Sequence, residues 1–112
     1  MAAAIATIGK LRDTNAVSHM QAMGRRLRDG LYAQAARHGV RLKQSGPAQM
    51  PVFLFENDGD RRIGNRFCLE ALARGVYIHP THTMFLSAAH KSADIDEALA
   101  ATDEAMAIVA RL

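Results

Sequence analysis

The chain has no tryptophan, one cysteine and three lysines among its 112 residues. A single thiol, Cys68, excludes an internal disulfide and fits a reducing compartment, so a cytoplasmic location is expected. No apolar run reaches the ~20 residues of a membrane helix, and no membrane partner is expected. The opening Met1–Gly9 has no basic region ahead of its apolar residues, which argues against a secretory signal. Charge of one sign is not concentrated either. The formal net charge is +3, and the densest run, Arg25–Arg28, has no aromatic residue interleaved to stack a base. That run reads as a solvated helix face, and nucleic acid is not an expected partner.

What is present is the composition of one globular domain: 49% hydrophobic and 22% charged. With four phenylalanines and no tryptophan, the core must rest on Phe, Leu, Ile, Val and Met. Residues Met1 to Arg12 place Ile5, Ile8 and Leu11 about one turn apart, giving a helix with one apolar stripe. No Ser, Thr, Asp or Asn precedes its first turn, so the chain is expected to open within a helix. Asp13–Asn15 offers a cap for a second helix, Ala16 to His38, whose Val17, Met20, Leu27 and Leu31 share a face. The small residues Gly24 and Ala35 lie on or beside that stripe and allow close approach of another element. His38-Gly39 supplies a stop.

Further along, Val40–Gln44 alternates as a half-buried strand. Met50–Glu56 is continuously apolar and is expected to be a central strand covered on both faces. A third helix follows, with Ile63, Phe67, Ala71 and Leu72 inward, Cys68 as a small buried hydrophobe, and Gly75 as its stop. Val76–Ile78 and Met84–Ala89 read as two short strands around a His-Pro-Thr-His loop. The last helix carries Ile95, Leu99, Met106 and Val109 on one face, with Ser92 as a candidate cap. The expected class is α+β, a small and mainly antiparallel sheet with helices packed on one side.

Three of the five histidines, His79, His82 and His90, fall within one stretch, Gly75–His90. A structural zinc site needs four ligands and a catalytic one needs three that converge, yet Pro80 splits the first pair and no Cys pair or carboxylate completes a set. No metal site is expected. Ser87 lies in no nucleophile elbow, and no Gly-rich loop runs from a strand into a helix to hold a phosphate. No catalytic residue is assigned.

The stretch ARGVYIHPTHTMFLSAAHKSADIDEALAATDEA resembles the C-terminal end of class III pyridoxal-phosphate-dependent aminotransferases, and is similar to the glutamate-1-semialdehyde aminomutase branch. Gly75, Val76, Tyr77, Pro80, Phe85, Ser87, Ala89, His90, Asp94, Ile95 and Asp96 carry the likeness. Upstream, Gly24, Leu27, Gly30 and Leu31 are similar to the family's long helix. The resemblance implies a small C-terminal domain packed on a large cofactor domain in the fold-type I transferase architecture, with residues 1–14 as the tail of an interdomain helix and 15–112 as the small domain.

The resemblance also implies that the reactive lysine, the acidic partner of the pyridine nitrogen and the phosphate cradle belong to the large domain. Lys10, Lys43 and Lys91 match no family lysine motif. Pyridoxal phosphate is therefore expected in the full-length parent and not on this chain alone, which should not transaminate. In the same terms His82, Thr83 and Met84 are the expected rim of the substrate pocket, acting through shape and polarity. The loop PTHTMF is shorter than the aminomutase version and lacks its carboxylate. The expected partners are the large domain and a second copy in a homo-oligomer. The other reading is a free-standing α+β interaction module that dimerises through its first helix.

Overall fold

A computed structural model describes residues 1–112, and its elements run α1 (Ala2–Asp13), α2 (Ala16–His38), β1 (Leu42–Ser45), β2 (Val52–Phe55), α3 (Arg62–Ala73) and α4 (Ser92–Val109). The two strands pair antiparallel, with Leu42 opposite Phe55 and Ser45 opposite Val52. One face of this ribbon is covered. Phe53 and Phe55 turn inward onto Phe67 of α3, with ring centroids 5.7 and 5.2 Å apart in edge-on geometry. Around them Leu31, Cys68, Ala105, Met106 and Val109 close the core. Each large side chain buried here contributes about 1.5–3 kcal/mol.

The α+β class holds, a small antiparallel sheet with helices on one side. The outer side of β2 is bare, however. Leu54 is 52% exposed, so Met50–Glu56 is not a strand covered on both faces. Its continuous apolar run misled because two-strand ribbons have only one inner face.

The two expected strands after α3 do not form ladders. Met84 and Leu86 donate to the carbonyls of Pro51 and Gln49 at 3.1 and 2.9 Å, the donor half of an antiparallel pairing. Pro51 has no N–H to return, so the pairing stays one-sided. Val76–His79 has no strand partner at all.

Helices α2 and α4 lie against each other through small residues and one polar pair. Gly30 leaves room for Leu99, where an added Cβ would come within 2.5 Å of the leucine methyls. The fully buried Thr102 donates to Gln34 Oε1, and Gln34 Nε2 donates to the Leu99 carbonyl. Gly24 lies hard against the backbone of Ala48, the close approach its size permits.

Capping departs from expectation. Asn15 enters α2 in a left-handed conformation with φ 52° and makes no side-chain cap bond. Ser92 is the first helical residue of α4 rather than its cap; the Asp94 carboxylate accepts from the Lys91 N–H instead, at 2.8 Å. Leu72 and Val17, assigned inward, are 50% and 45% exposed, each at the margin of its helix stripe.

Helix α1 buries no residue, and among the helices it touches only α2. Ile5 and Ile8 stand 66% and 65% exposed. The Cα radius of gyration is 15.3 Å, against about 13 Å for a compact chain of this length, because α1 projects from the body.

Candidate functional site

Gly75, at φ +86°, ends α3 in a conformation that strains any L side chain, and turns the chain into the irregular segment that runs to His90. This segment lies across the α2–α4 pair and leaves an open groove of about 640 Å³ between them. Leu27 and Leu31 of α2, Ile95 of α4, Phe53, Ile78 and Met84 make its wall mainly apolar, and His90, Asp94 and Glu97 supply polar atoms.

The three histidines divide. His79 Nδ1 accepts from the backbone N–H groups of Thr81 and His82, at 3.1 and 3.2 Å, so it is unprotonated and the ring proton sits on Nε2. This fixes the loop after Pro80 as a tight turn. The rings of His79 and His82 lie 4.3 Å apart, tilted by 59°. His90 Nδ1 accepts from the Ser87 N–H at 2.9 Å, while its carbonyl is 2.6 Å from His19 Nε2 on α2. His79 and His90 thus use their rings to satisfy backbone. No three His, Cys, Asp or Glu side chains converge as metal ligands.

Of the rim residues read from the sequence, Met84 lines the groove, while His82 and Thr83 stand exposed on the loop beyond it. His19 ties α2 to this segment through its contact with the His90 carbonyl. Its only sequence signal is a polar residue beside an apolar helix stripe, which any surface histidine gives.

The groups whose pKa is shifted lie outside the groove, and the carboxylates among them are spent on structure. Hydrogen bonds from Arg74 and Arg66 hold the Glu70 carboxyl below its ordinary range. Asp96 is lowered chiefly by its hydrogen bonds to Arg26. Partial burial pushes Asp103 upward, but hydrogen bonds from His38 and Arg37 outweigh it and the net shift is down. Burial pushes the Cys68 thiol up to about 11, which keeps it protonated and unreactive.

A pyridoxal coenzyme needs an amine for its aldehyde carbon, an acid for its ring nitrogen and donors for its phosphate. Lys10, Lys43 and Lys91 are all exposed, on α1, on β1 and ahead of α4, and none lines the groove. The open N–H groups at the start of α3 are taken by the Asp58 carboxylate, which accepts from Ile63 and Gly64 at 2.8 Å. The residues present do not fit the coenzyme.

No family model matches the chain. It is 51% identical, over 99% of its length, to the aminopentol aminotransferase of Sphingopyxis macrogoltabida. The glutamate-1-semialdehyde 2,1-aminomutase of Opitutus terrae is 34% identical over 88% of the chain. Among solved structures, the FumI protein of Sphingopyxis sp. MTA144, in its PLP internal aldimine form, superposes with a TM-score of 0.95 at 51% identity, covering 99% of this chain and 27% of that one. The chain spans about a quarter of the length of these relatives, 26% of each of the two enzymes.

Proposed function

We propose, for a chain that corresponds to the C-terminal domain of class III pyridoxal-phosphate-dependent enzymes, that it serves as the small domain of an aminotransferase acting on aminopentol-like amines. One observation carries this reading: 51% identity across 99% of the chain to an aminopentol aminotransferase, against 34% to an aminomutase. The absence of a carboxylate between Pro80 and Phe85 agrees with amino transfer rather than the aminomutase shift.

In this reading residues 15–112 form the small domain and residues 1–14 continue a helix toward the large one, whose surface covers Ile5, Ile8 and Leu11. The large domain supplies the coenzyme and the reactive amine. When bound there, pyridoxal phosphate serves as the electron sink for moving an amino group. This chain's part is to close the substrate pocket. Met84 offers a flexible apolar wall, and His82 and Thr83 offer hydrogen-bonding groups on a loop braced by His79.

The test is a chimera in which this chain replaces the matching quarter of the Sphingopyxis aminopentol aminotransferase. It should take up the coenzyme, seen by its visible absorbance, and transfer amino groups from aminopentol. In that chimera His82→Ala or Met84→Ala should change the kcat/KM ratio of a long-chain to a short-chain amine by about tenfold, with coenzyme content unchanged. A coenzyme-loaded chimera with no transaminase activity would overturn the reading.

A second reading has its own observation. The bare stripe of Ile5 and Ile8 would also suit a dimer through α1. A chain that sediments as a dimer broken by charges at Ile5 and Ile8, with a chimera that takes up no coenzyme, would favour that interaction module.

A further inference from the structure

The loop from Pro80 to Thr83 hangs between two fixings of different kinds. At its far end the Met84 N–H donates to the Pro51 carbonyl at 3.1 Å, a bond between amides that mild acid leaves alone. At its near end the fixing is a single ring nitrogen. His79 Nδ1 accepts from the Thr81 and His82 N–H groups at 3.1 and 3.2 Å, and neither N–H has another partner in the protein. A ring nitrogen accepts only through its lone pair. A proton on Nδ1 would therefore set a third donor against these two. Thr81 Oγ, 3.3 Å from Nδ1, could receive it, and both amides would still be left bare.

We propose that His79 is a positioning residue for the pocket rim and works only while Nδ1 is unprotonated, so that acid frees the Pro80–Thr83 loop and changes which amines the parent enzyme prefers. The proposal rests on the small-domain reading above, which puts His82, Thr83 and Met84 at that rim, and adds a dependence on pH to it. The charged and titratable groups nearby do not replace the brace. The ring of His82 lies beside that of His79, with centroids 4.3 Å apart. From the β2–α3 loop, Asp58 and Arg61 line a small cavity with Pro80, and the Asp58 carboxylate is taken by the Ile63 and Gly64 N–H groups. From α4, Asp94 and Glu97 line the groove together with Ile78 and His90. None of them is bonded to the His79 ring, whose hydrogen bonds all go to Thr81 and His82.

His90 has the same chemistry with less consequence for the rim. Its Nδ1 accepts from the Ser87 N–H at 2.9 Å, but that turn lies beyond Leu86, whose own N–H is bonded to the Gln49 carbonyl at 2.9 Å. Losing the His90 bond leaves Met84 and Leu86 tied to the chain before β2. Losing the His79 bonds releases one end of the loop that carries His82 and Thr83.

Two substitutions separate the nitrogen from the bulk of the side chain. Asparagine sets a carboxamide oxygen about where Nδ1 stands and takes up no proton, whereas glutamine reaches toward the position of Nε2. The first experiment is amide hydrogen exchange at Thr81 and His82 in the chain alone. The parent and His79→Asn should agree within about twofold at pH 8, and at about pH 5.5 the parent should exchange about tenfold faster. His79→Gln should exchange fast at both values. Nitrogen-15 shifts that place the ring proton on Nδ1 at pH 8 would overturn the proposal. So would equal exchange in the parent and His79→Asn at pH 5.5, or protected amides in His79→Gln.

The second experiment uses the coenzyme-loaded chimera with the Sphingopyxis enzyme. The kcat/KM for a long-chain amine is divided by that for a short-chain amine of equal basicity, which cancels the coenzyme's own titration. This ratio should move by about fivefold between pH 8 and pH 5.5, and by less than about twofold once His79→Asn is introduced. A ratio that moves equally in both would assign the effect to another group and refute the role of His79. A flat ratio in an active chimera would sink the coupling to the rim while sparing the small-domain reading. A chimera that takes up no coenzyme would refute that reading and the rim role with it, while the exchange data would still show whether the ring holds the loop.

Discussion

The Thr102 hydroxyl donates to Gln34 Oε1 at 2.9 Å across the α2–α4 contact, with Thr102 fully buried and Gln34 5% exposed. Removing one partner strands the other in a dry contact. Thr102→Val should lower stability by about 1–3 kcal/mol in urea titration. Adding Gln34→Leu to that variant should cost less than the sum of the two single changes, because no unpaired amide oxygen is left behind. Strict additivity would show the pair to be uncoupled.

A methyl at position 24 should also be costly. The Cβ of Gly24→Ala would fall 2.1 Å from the Ala48 carbonyl oxygen, so backbone must move. The expected loss is about 1–3 kcal/mol, the range for forced overpacking. Gly30→Ala meets the flexible end of Leu99 instead and should cost less. Equal losses at the two sites would contradict the geometry.

Acid should loosen the α2–α4 contact. Asp103 is held below its usual pKa, so its contribution is fully present above about pH 4, the unfolded value, and is lost as pH falls through the lower folded one. Asp103 bridges Arg37 and His38 at a partly exposed site, so Asp103→Asn should cost roughly 0.5–1 kcal/mol at neutral pH. The difference from the parent chain should shrink steadily as pH falls below about 4. A gap that persists there would assign the effect to packing.

Cys68 is 7% exposed, and burial lifts its thiol to about 11. In the folded chain at pH 8 it should react with a disulfide reagent far more slowly than in urea, with the thiolate scarce and the site closed. Equal rates would mean that this end of the core opens readily.

On α1, Ile5→Lys together with Ile8→Glu should leave the unfolding free energy within about 0.5 kcal/mol, as exposed positions do. Sedimentation of the chain alone should shift toward monomer, since the apolar patch is broken. A stability loss of several kcal/mol would place those side chains in the core.

Much of this fold is legible from residue spacing. The bounds of α2 follow from Asn15 and the Gly39 stop, and the Ile95, Met106 and Val109 stripe marks the buried face of α4. Burial of Cys68 and the close approach at Gly24 follow from size and position. What escaped is whatever depends on an absent neighbour. Val76–Ile78 has strand composition, but a strand is defined by its partner, and none lies in this chain. Met84–Leu86 has a partner that begins with Pro51, whose missing N–H cannot be weighed until the register is known. The histidine cluster misdirects for a related reason: His79 and His90 each spend a ring nitrogen on a nearby backbone amide, a local use that spacing does not distinguish from ligation. The ties of His19 and Gln34 reach across 71 and 65 residues, beyond any local pattern.

The projecting α1 also governs how the molecule moves in solution. With principal extents of 50 × 26 × 23 Å, it is a rod roughly twice as long as it is wide. Rotation about the long axis meets less viscous drag than end-over-end reorientation. Spin relaxation should therefore depend on bond direction, with amide vectors parallel to the rod relaxing differently from those lying across it. If α1 instead swung freely about Thr14–Asn15, that directional dependence would be confined to the body and largely averaged out along the helix.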